Sequence, residues 1–124
     1  MSKELRKGNG FAEDVANHIS SKLGDERIER RVLHGTKDRG DISGLLYRGR
    51  RVVVECKCCK AMELAQWVDE AEVERGNDDA EYGIVVHKRK GRGAKRIGEN
   101  YVTMTLDTFL AMTAGGREFL YGDE

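Results

Sequence analysis

Apolar side chains recur with helical spacing in two segments of the chain. Between residues 10 and 23, Phe11, Val15 and Ile19 stand at i, i+4 and i+8, and the pattern stops at Gly24. A second stripe occupies residues 63–76 and is formed by Leu64, Trp67, Val68 and Ala71. Spacings of three and four residues place such side chains on one face of an α-helix, so both segments are predicted to be amphipathic helices.

Shorter apolar runs bounded by glycine and charged residues predict strands. Five are expected, over residues 27–34, 41–47, 51–58, 82–87 and 101–105. A turn at residues 48–50 separates the second strand from the third, residues 88–98 form a glycine-rich basic loop, and residues 106–114 predict a short closing helix. The expected fold is α/β, in the order αβββαβ followed by a further βα pair.

The length of 124 residues suits one domain, spanning residues 1–124. No apolar run approaches the roughly 20 residues of a membrane helix, and no apolar block follows the first charged residues, so we expect neither a membrane span nor a signal peptide. The three cysteines, Cys56, Cys58 and Cys59, lie too close together to join distant segments. These features favour a reducing, cytoplasmic location.

The formal net charge of zero is the sum of two oppositely charged segments. Residues 61–83 hold eight acidic side chains and one arginine, whereas residues 84–100 hold six basic side chains and one glutamate. Such segregation predicts a positive surface that could meet phosphates and a negative surface that faces away from them. The alternative interpretation is a solvated helix beside a solvated loop.

Candidate chemistry lies on the second and third predicted strands. Alternation along a strand sends Glu55 and Lys57 to one face and Val54 to the other, and Asp41 begins the neighbouring strand. Two carboxylates there would form a hard oxygen site for Mg²⁺, with a cation beside it. The apolar run before Glu55 predicts a strand buried on both faces, where an unpaired carboxylate would be costly.

Gly40-Asp41, a spacer of thirteen residues and Glu55-Cys56-Lys57, in an αβββαβ order, resemble the PD-(D/E)XK nuclease superfamily. Ala12-Glu13 after the basic segment at residues 6–10 is most similar to the archaeal and phage Holliday junction resolvases. Gly40 stands where the superfamily name has proline. The resemblance implies a restriction-endonuclease-like core with a mixed central sheet flanked by helices.

The same resemblance implies the roles of individual residues. Mg²⁺, for which Mn²⁺ is expected to substitute, would be bound by Asp41, Glu55, the backbone carbonyl of Cys56, and Glu13. Lys57 would act on the attacking water. A helical-wheel count places Glu13 and Asp14 equally far from the apolar stripe, so only the resemblance favours Glu13.

The basic residues are interpreted as a DNA-binding set. Glycines 91, 93 and 98 let the loop follow a curved phosphate track. The predicted contacts are Arg39, Lys88, Arg89, Lys90, Arg92, Lys95 and Arg96. Gln66, which lies off the apolar stripe of its helix, is interpreted as solvated surface.

The cysteine run contains Cys-X-X-Cys, but no second ligand pair accompanies it, and residues three apart on a strand face opposite ways. Buried apolar thiols are therefore expected instead of zinc ligands, and Trp67 on its helical stripe is expected in the core.

The resulting hypothesis is a Mg²⁺-dependent DNA endonuclease, most similar to a Holliday junction resolvase, in a phage or prokaryotic recombination setting. The alternatives are a restriction or repair nuclease of the same fold and a non-catalytic DNA-binding module. Resolution needs two symmetry-related cuts on four-way DNA, so we expect a homodimer. Its candidate apolar surface comprises Val73, Phe109, Met112, Phe119, Leu120 and Tyr121.

Overall fold

The computed structural model describes residues 3–32, 35 and 37–122. Three α-helices and six strands make up most of this part of the chain, and short 3₁₀ turns complete it. The helices are α1 (Lys3–Leu23), α2 (Leu64–Asn77) and α3 (Leu106–Ala114). The strands are β1 (Glu29–Arg30), β2 (Ile42–Ser43), β3 (Leu46–Tyr47), β4 (Arg50–Lys57), β5 (Tyr82–His87) and β6 (Tyr101–Thr103). The 3₁₀ turns span Ala94–Glu99 and Arg117–Phe119.

The strands form one mixed sheet in the order β1-β2-β4-β5-β6, and β3 pairs with β4 beside this path. The central pair, β4 and β5, is parallel, and the pairs described around it are antiparallel. Helix α2 connects the parallel strands, as such a crossover requires. The prediction of an α/β fold with a mixed sheet flanked by helices is confirmed.

The two faces of the sheet carry separate apolar clusters. On one face, Phe11 and Val15 of α1 pack with Val54 of β4 and with neighbouring residues of β5. On the other face, Trp67 and Ala71 of α2 pack against Val85 of β5. The central strands are therefore covered on both sides, and Val52, Val53 and Val54 are all at most 6% exposed. The predicted core positions of Trp67 and of the valine run are confirmed.

The prediction of one strand over residues 41–47 is wrong, because the chain forms two short strands there, β2 and β3, separated at Gly44. Gly44 has φ of +91°, and a Cβ there would overlap the Arg27 carbonyl group, so the chain bends at this point. The turn predicted at residues 48–50 is confirmed as a two-residue hairpin, because Tyr47 pairs with Arg50 and both intervening residues have positive φ.

The remaining differences concern element lengths. Helix α1 begins seven residues earlier than predicted, at Lys3, and the strand predicted over residues 27–34 is described only at Glu29–Arg30, with residues 33 and 34 outside the described part. Part of the predicted basic loop is the 3₁₀ turn at Ala94–Glu99. Helix α3 has its predicted bounds. Among the helices described, none is both long and apolar enough to cross a membrane.

Candidate metal centre

Strand β4 places Glu55 between the sheet and helix α2. Alternation turns Val54 towards α1, so Glu55 and Lys57 face α2 together, and Glu55 is only 6% exposed. The Lys57 Nζ lies 3.6 Å from a Glu55 carboxylate oxygen. The predicted pairing of these two side chains on one face of the strand is therefore observed.

Asp41 is held beside Glu55 by the backbone of β4. Its own amide donates to the Val54 carbonyl at 2.8 Å, and its Oδ2 accepts a hydrogen bond from the Cys56 amide at 2.7 Å. The two contacts are made with the residues before and after Glu55, so the Asp41 carboxylate lies next to the Glu55 side chain. The Asp and Glu of the sequence motif are thus neighbours in space.

Two further carboxylates join this site that the sequence analysis did not select. Oxygens of Asp38, Glu55 and Glu74 all lie within 4.8 Å of one another, an arrangement that could hold a metal ion. Glu74 lies on α2, is 4% exposed, and its Oε2 has no hydrogen-bond partner among the described residues. A buried oxygen without a partner is rare in folded proteins, and a bound cation would satisfy it.

Helical spacing was the signal that could have revealed Glu74. It follows Trp67 and Ala71 at positions i+7 and i+3, on the stripe that packs against the sheet. A carboxylate on a buried stripe is costly unless something compensates it. The acidic residues of α2 were expected to face away from DNA, but Glu74 faces the sheet and Asp69 and Glu70 line the groove next to it.

Asp38 is positioned by a tight loop before β2. Its carboxylate accepts a hydrogen bond from the Gly40 amide at 2.9 Å, and its carbonyl accepts one from Asn77 Nδ2, at the end of α2, at 2.8 Å. Gly40 has φ of +95°, and a Cβ there would lie 2.8 Å from Val53 Cγ1. The glycine in the motif is therefore required by this loop, whose conformation places Asp38 in the group with Glu55 and Glu74. Asp41 lies beside Glu55 but is not one of these three carboxylates.

Burial makes this carboxylate group hard to ionise. Burial raises the pKa of Glu55 far above its ordinary value, and the nearby carboxyls of Asp41 and Glu74 raise it further. Burial also raises the pKa of Glu74, to about 7. A hydrogen bond with Glu55 lowers this pKa, whereas the charges of Asp38 and Asp41 raise it. Without a cation, Glu55 and Glu74 therefore keep their protons to a higher pH than free carboxyls do.

Lys57 remains a cation at neutral pH. Burial by itself would lower its pKa, but its 2.6 Å ion pair with Glu70 and the charge of Glu55 outweigh burial and raise the pKa overall. Glu70 is held in turn by Gln66, whose Nε2 donates to it at 3.1 Å. Gln66 is exposed as predicted, yet it supports the partner of Lys57.

Two concave surfaces meet at Lys57. The acidic groove has a volume of about 780 Å³ and is lined by Asp38, Glu55, Lys57, Gln66, Asp69, Glu70, Val73 and Glu74. The basic cavity has a volume of about 300 Å³ and lies at the carboxyl ends of β4 and β5. Its cations are Lys57, Lys60, Lys88, Arg89 and Lys90. The oppositely charged segments of the sequence thus border each other at Lys57 in the folded chain.

Other predicted ligands are placed differently. Glu13 is exposed on α1, whose buried stripe packs on the face of the sheet opposite Glu55, and it is absent from the carboxylates gathered within 4.8 Å. The structure does not bring Glu13 to the group, and its role as a ligand stays a prediction. The carbonyl of Cys56 also stays a predicted ligand, while the Cys56 amide holds Asp41.

The predicted DNA-binding residues fall into three kinds. Lys88, Arg89 and Lys90 line the basic cavity. Arg92 and Arg96 both pair with Glu99, at 3.0 and 2.6 Å, so one carboxylate offsets part of their charge. Lys95 and Arg39 are exposed, and Arg39 directly follows Asp38 in the loop of the carboxylate group.

All three cysteines are free thiols. Cys56 and Cys58 are partly buried and pack against the core, and burial raises the pKa of the Cys56 thiol. Cys59 is exposed and lines the basic cavity, so the expectation of three buried thiols is wrong for this residue. The strand ends at Lys57, and Cys59 follows in the connection to α2, outside the packed layer.

Comparison with family models, with curated proteins and with solved structures finds no match to this chain.

Proposed function

We propose that this protein is a Mg²⁺-dependent DNA endonuclease that hydrolyses phosphodiester bonds. The observation that carries the proposal is the junction of the two concave surfaces at Lys57: a buried carboxylate group with an unpartnered oxygen adjoins a cavity lined by cations. The first provides ligands for a hard metal ion, and the second attracts an anionic chain.

The residues present fit a divalent cation. Carboxylate oxygens are the ligands that Mg²⁺ prefers, and Asp38, Glu55 and Glu74 offer three within 4.8 Å of one another, with Asp41 against Glu55. Lys57, whose Nζ lies 3.6 Å from a Glu55 oxygen, is already paired with Glu70. A divalent ion would replace the protons that Glu55 and Glu74 otherwise keep, and the unpartnered oxygen of Glu74 would be one of its ligands.

Hydrolysis joins a water oxygen to phosphorus and breaks one ester P–O bond, and the protons of the water end on the product phosphate and the leaving hydroxyl. Bound Mg²⁺ would supply a more acidic water and stabilise charge on the phosphate. Lys57 is cationic, so it cannot accept a proton from water; it places positive charge beside the attacked phosphate and orients the water. Glu70 fixes its ammonium group in that position.

The finer features of the proposal are a four-way DNA substrate and a homodimer acting in the cytoplasm. An apolar surface suited to a second copy is exposed at the C-terminal end of the chain, where Phe109, Phe119 and Tyr121 are all more than half exposed. Met112 and Leu120, expected with them, pack partly against the core. Free thiols are compatible with a reducing compartment.

The proposal is tested by incubating the protein with labelled duplex, flap, fork and four-way DNA, with Mg²⁺ or with EDTA. We expect Mg²⁺-dependent cuts that Asp41→Asn abolishes while DNA binding is kept or strengthened, because one negative charge is removed. Asp107→Asn, at an exposed position on α3, is the matched control and should cut like the wild type. Binding without cleavage on every substrate would favour the non-catalytic module instead.

A further inference from the structure

The basic cavity has an aromatic wall as well as cations. The His87 ring lies between Trp67 and Tyr101, with centroid distances of 5.6 Å to each. Trp67 is 4% exposed, whereas Tyr101 is 45% exposed, so this row of rings begins in the core and ends at solvent. All three residues line the cavity.

Arg89 extends the row with a flat cationic group. Its guanidinium carbon lies 5.5 Å from the centroid of the Tyr101 ring, and its amide is fixed by a 2.7 Å hydrogen bond to Asn100 Oδ1. Aromatic rings and guanidinium planes are both surfaces on which nucleobases stack. The backbone contact fixes the start of the Arg89 side chain, whose guanidinium lies over the Tyr101 ring, so the two groups form one stacked pair.

The charge of the cavity suits the phosphates on either side of a base. Lys60 and Lys90 are exposed at its rim, and none of the described residues lining it carries a carboxylate. Lys88 also lines it, but its Nζ donates to the Arg92 carbonyl. A purely phosphate-binding surface would not need aromatic rings, and a purely aromatic site would not need five cations. One nucleotide unit uses both features.

The geometry further distinguishes paired from unpaired bases. A base in a duplex has both faces covered by its neighbours, so it reaches a concave site of about 300 Å³ only after leaving the stack. An unpaired nucleotide enters without that cost. Because Lys57 lines both the cavity and the acidic groove, the nucleotide held here lies next to the phosphate at the carboxylate group.

We propose that the basic cavity binds an unpaired nucleotide of the substrate strand, stacking its base against the Tyr101–Arg89 pair and holding its phosphates with Lys60 and Lys90. This inference rests on the proposed function and names the feature of DNA that the enzyme selects: an unpaired nucleotide beside the cut, as in a fork, a flap or an opened junction centre. Fully paired duplex lacks that feature and binds through phosphates alone.

The test measures binding in EDTA, so that cleavage plays no part. A fork and a matched duplex each carry 2-aminopurine, at the unpaired position next to the branch and at the corresponding paired position. For the wild type we expect tighter binding of the fork and quenching of its 2-aminopurine. Tyr101→Ala should weaken fork binding about five- to tenfold and remove the quenching, while duplex binding changes less than twofold. Tyr101→Phe should retain both properties.

Two matched controls separate stacking from charge and from folding. Leu23→Ala shortens an exposed apolar side chain at the end of α1, away from the cavity, and should leave fork binding and quenching unchanged. Lys60→Ala should weaken fork and duplex alike and lower the salt dependence by about one phosphate contact, with quenching kept. The intrinsic fluorescence of buried Trp67 confirms that each variant is folded.

The inference is overturned if Tyr101→Ala binds the fork and quenches its 2-aminopurine as the wild type does. It is also overturned if free AMP displaces the fork at AMP concentrations similar to the dissociation constant of the fork, because the cavity would then be a site for free nucleotides. The outcomes also separate the two proposals. Mg²⁺-dependent cleavage with no effect of Tyr101 rejects only the unpaired-nucleotide site. Tyr101-dependent quenching without cleavage on any substrate rejects only the nuclease.

Discussion

Glu55→Gln is the substitution whose effect follows most directly from the structure. Glutamine keeps the size of the side chain and removes its charge. In the folded chain Glu55 retains its proton to a higher pH than in the unfolded chain, because burial and the carboxyls of Asp41 and Glu74 raise its pKa. Above the ordinary carboxyl pKa the folded state therefore binds more protons than the unfolded state, and stability falls as the pH rises.

The magnitude is bounded by the pH of the measurement. At pH 7.5 the solution is about 3 pH units above the ordinary carboxyl pKa, so keeping Glu55 protonated costs at most about 4 kcal/mol. Water in the open acidic groove reduces this penalty, and we expect Glu55→Gln to raise the free energy of unfolding by about 1–2 kcal/mol in EDTA. The gain should become small near pH 4.5, the ordinary carboxyl pKa, where the unfolded carboxyl is about half protonated and the folded one is protonated.

Urea unfolding followed by Trp67 fluorescence, in EDTA and at several pH values between 4.5 and 8, measures this difference. In saturating Mg²⁺ the order should reverse, because the metal stabilises only the chain that binds it. At a hundred times the dissociation constant this stabilisation is about 2.7 kcal/mol, which exceeds the gain expected for the variant in EDTA. Glu26→Gln, at an exposed position, is the control and should change neither quantity. If the Glu55→Gln protein were less stable than the wild type at every pH in EDTA, burial of the Glu55 carboxyl would not be destabilising and the argument would be refuted.

Three further outcomes are expected. Lys57→Ala should lower the single-turnover cleavage rate at saturating Mg²⁺ by at least about tenfold, because Lys57 acts on the water and the phosphate. Metal affinity, measured by titration calorimetry, should change little, and equal losses in rate and affinity would contradict this role. Glu74→Gln should weaken Mg²⁺ binding, measured by the same calorimetric titration, about tenfold or more, whereas Glu13→Gln should not. The reverse result would show that Glu13 is the metal ligand, as the family resemblance implies, and that Glu74 is not. Neutralising the cations at 88–90 together should lower the slope of log affinity against log salt by about 2 on duplex DNA. An unchanged slope would show that these three cations do not contact phosphates and belong to the solvated surface.

Local pattern was sufficient for the framework. The helical stripes that include Val15 and Trp67, and the turn at residues 48–50, are set by side-chain spacing and backbone preference over a few residues. Alternation on β4 likewise decided that Glu55 and Lys57 share a face, and the valine run before them indicated burial on both sides. Such features depend on neighbours in the chain, so the sequence reports them directly.

The composition of the carboxylate group depended on tertiary structure. Periodicity indicates which face of an element a residue occupies, but not which residue of another element it meets. Glu74 reaches Glu55 only because α2 crosses from β4 to β5 and packs its buried face on the sheet, and Asp38 joins them through a loop held by Gly40 and Asn77.

Charge shows the same division. The sequence determined that acids and bases occupy separate segments, while packing decided that both segments border Lys57 and that Glu99 partly offsets Arg92 and Arg96. The physical reason is that electrostatic interactions act over a few ångströms in space, irrespective of separation along the chain. Sequence alone therefore determined the helices, the two central strands and the faces of those elements, and tertiary contact decided which charges act together.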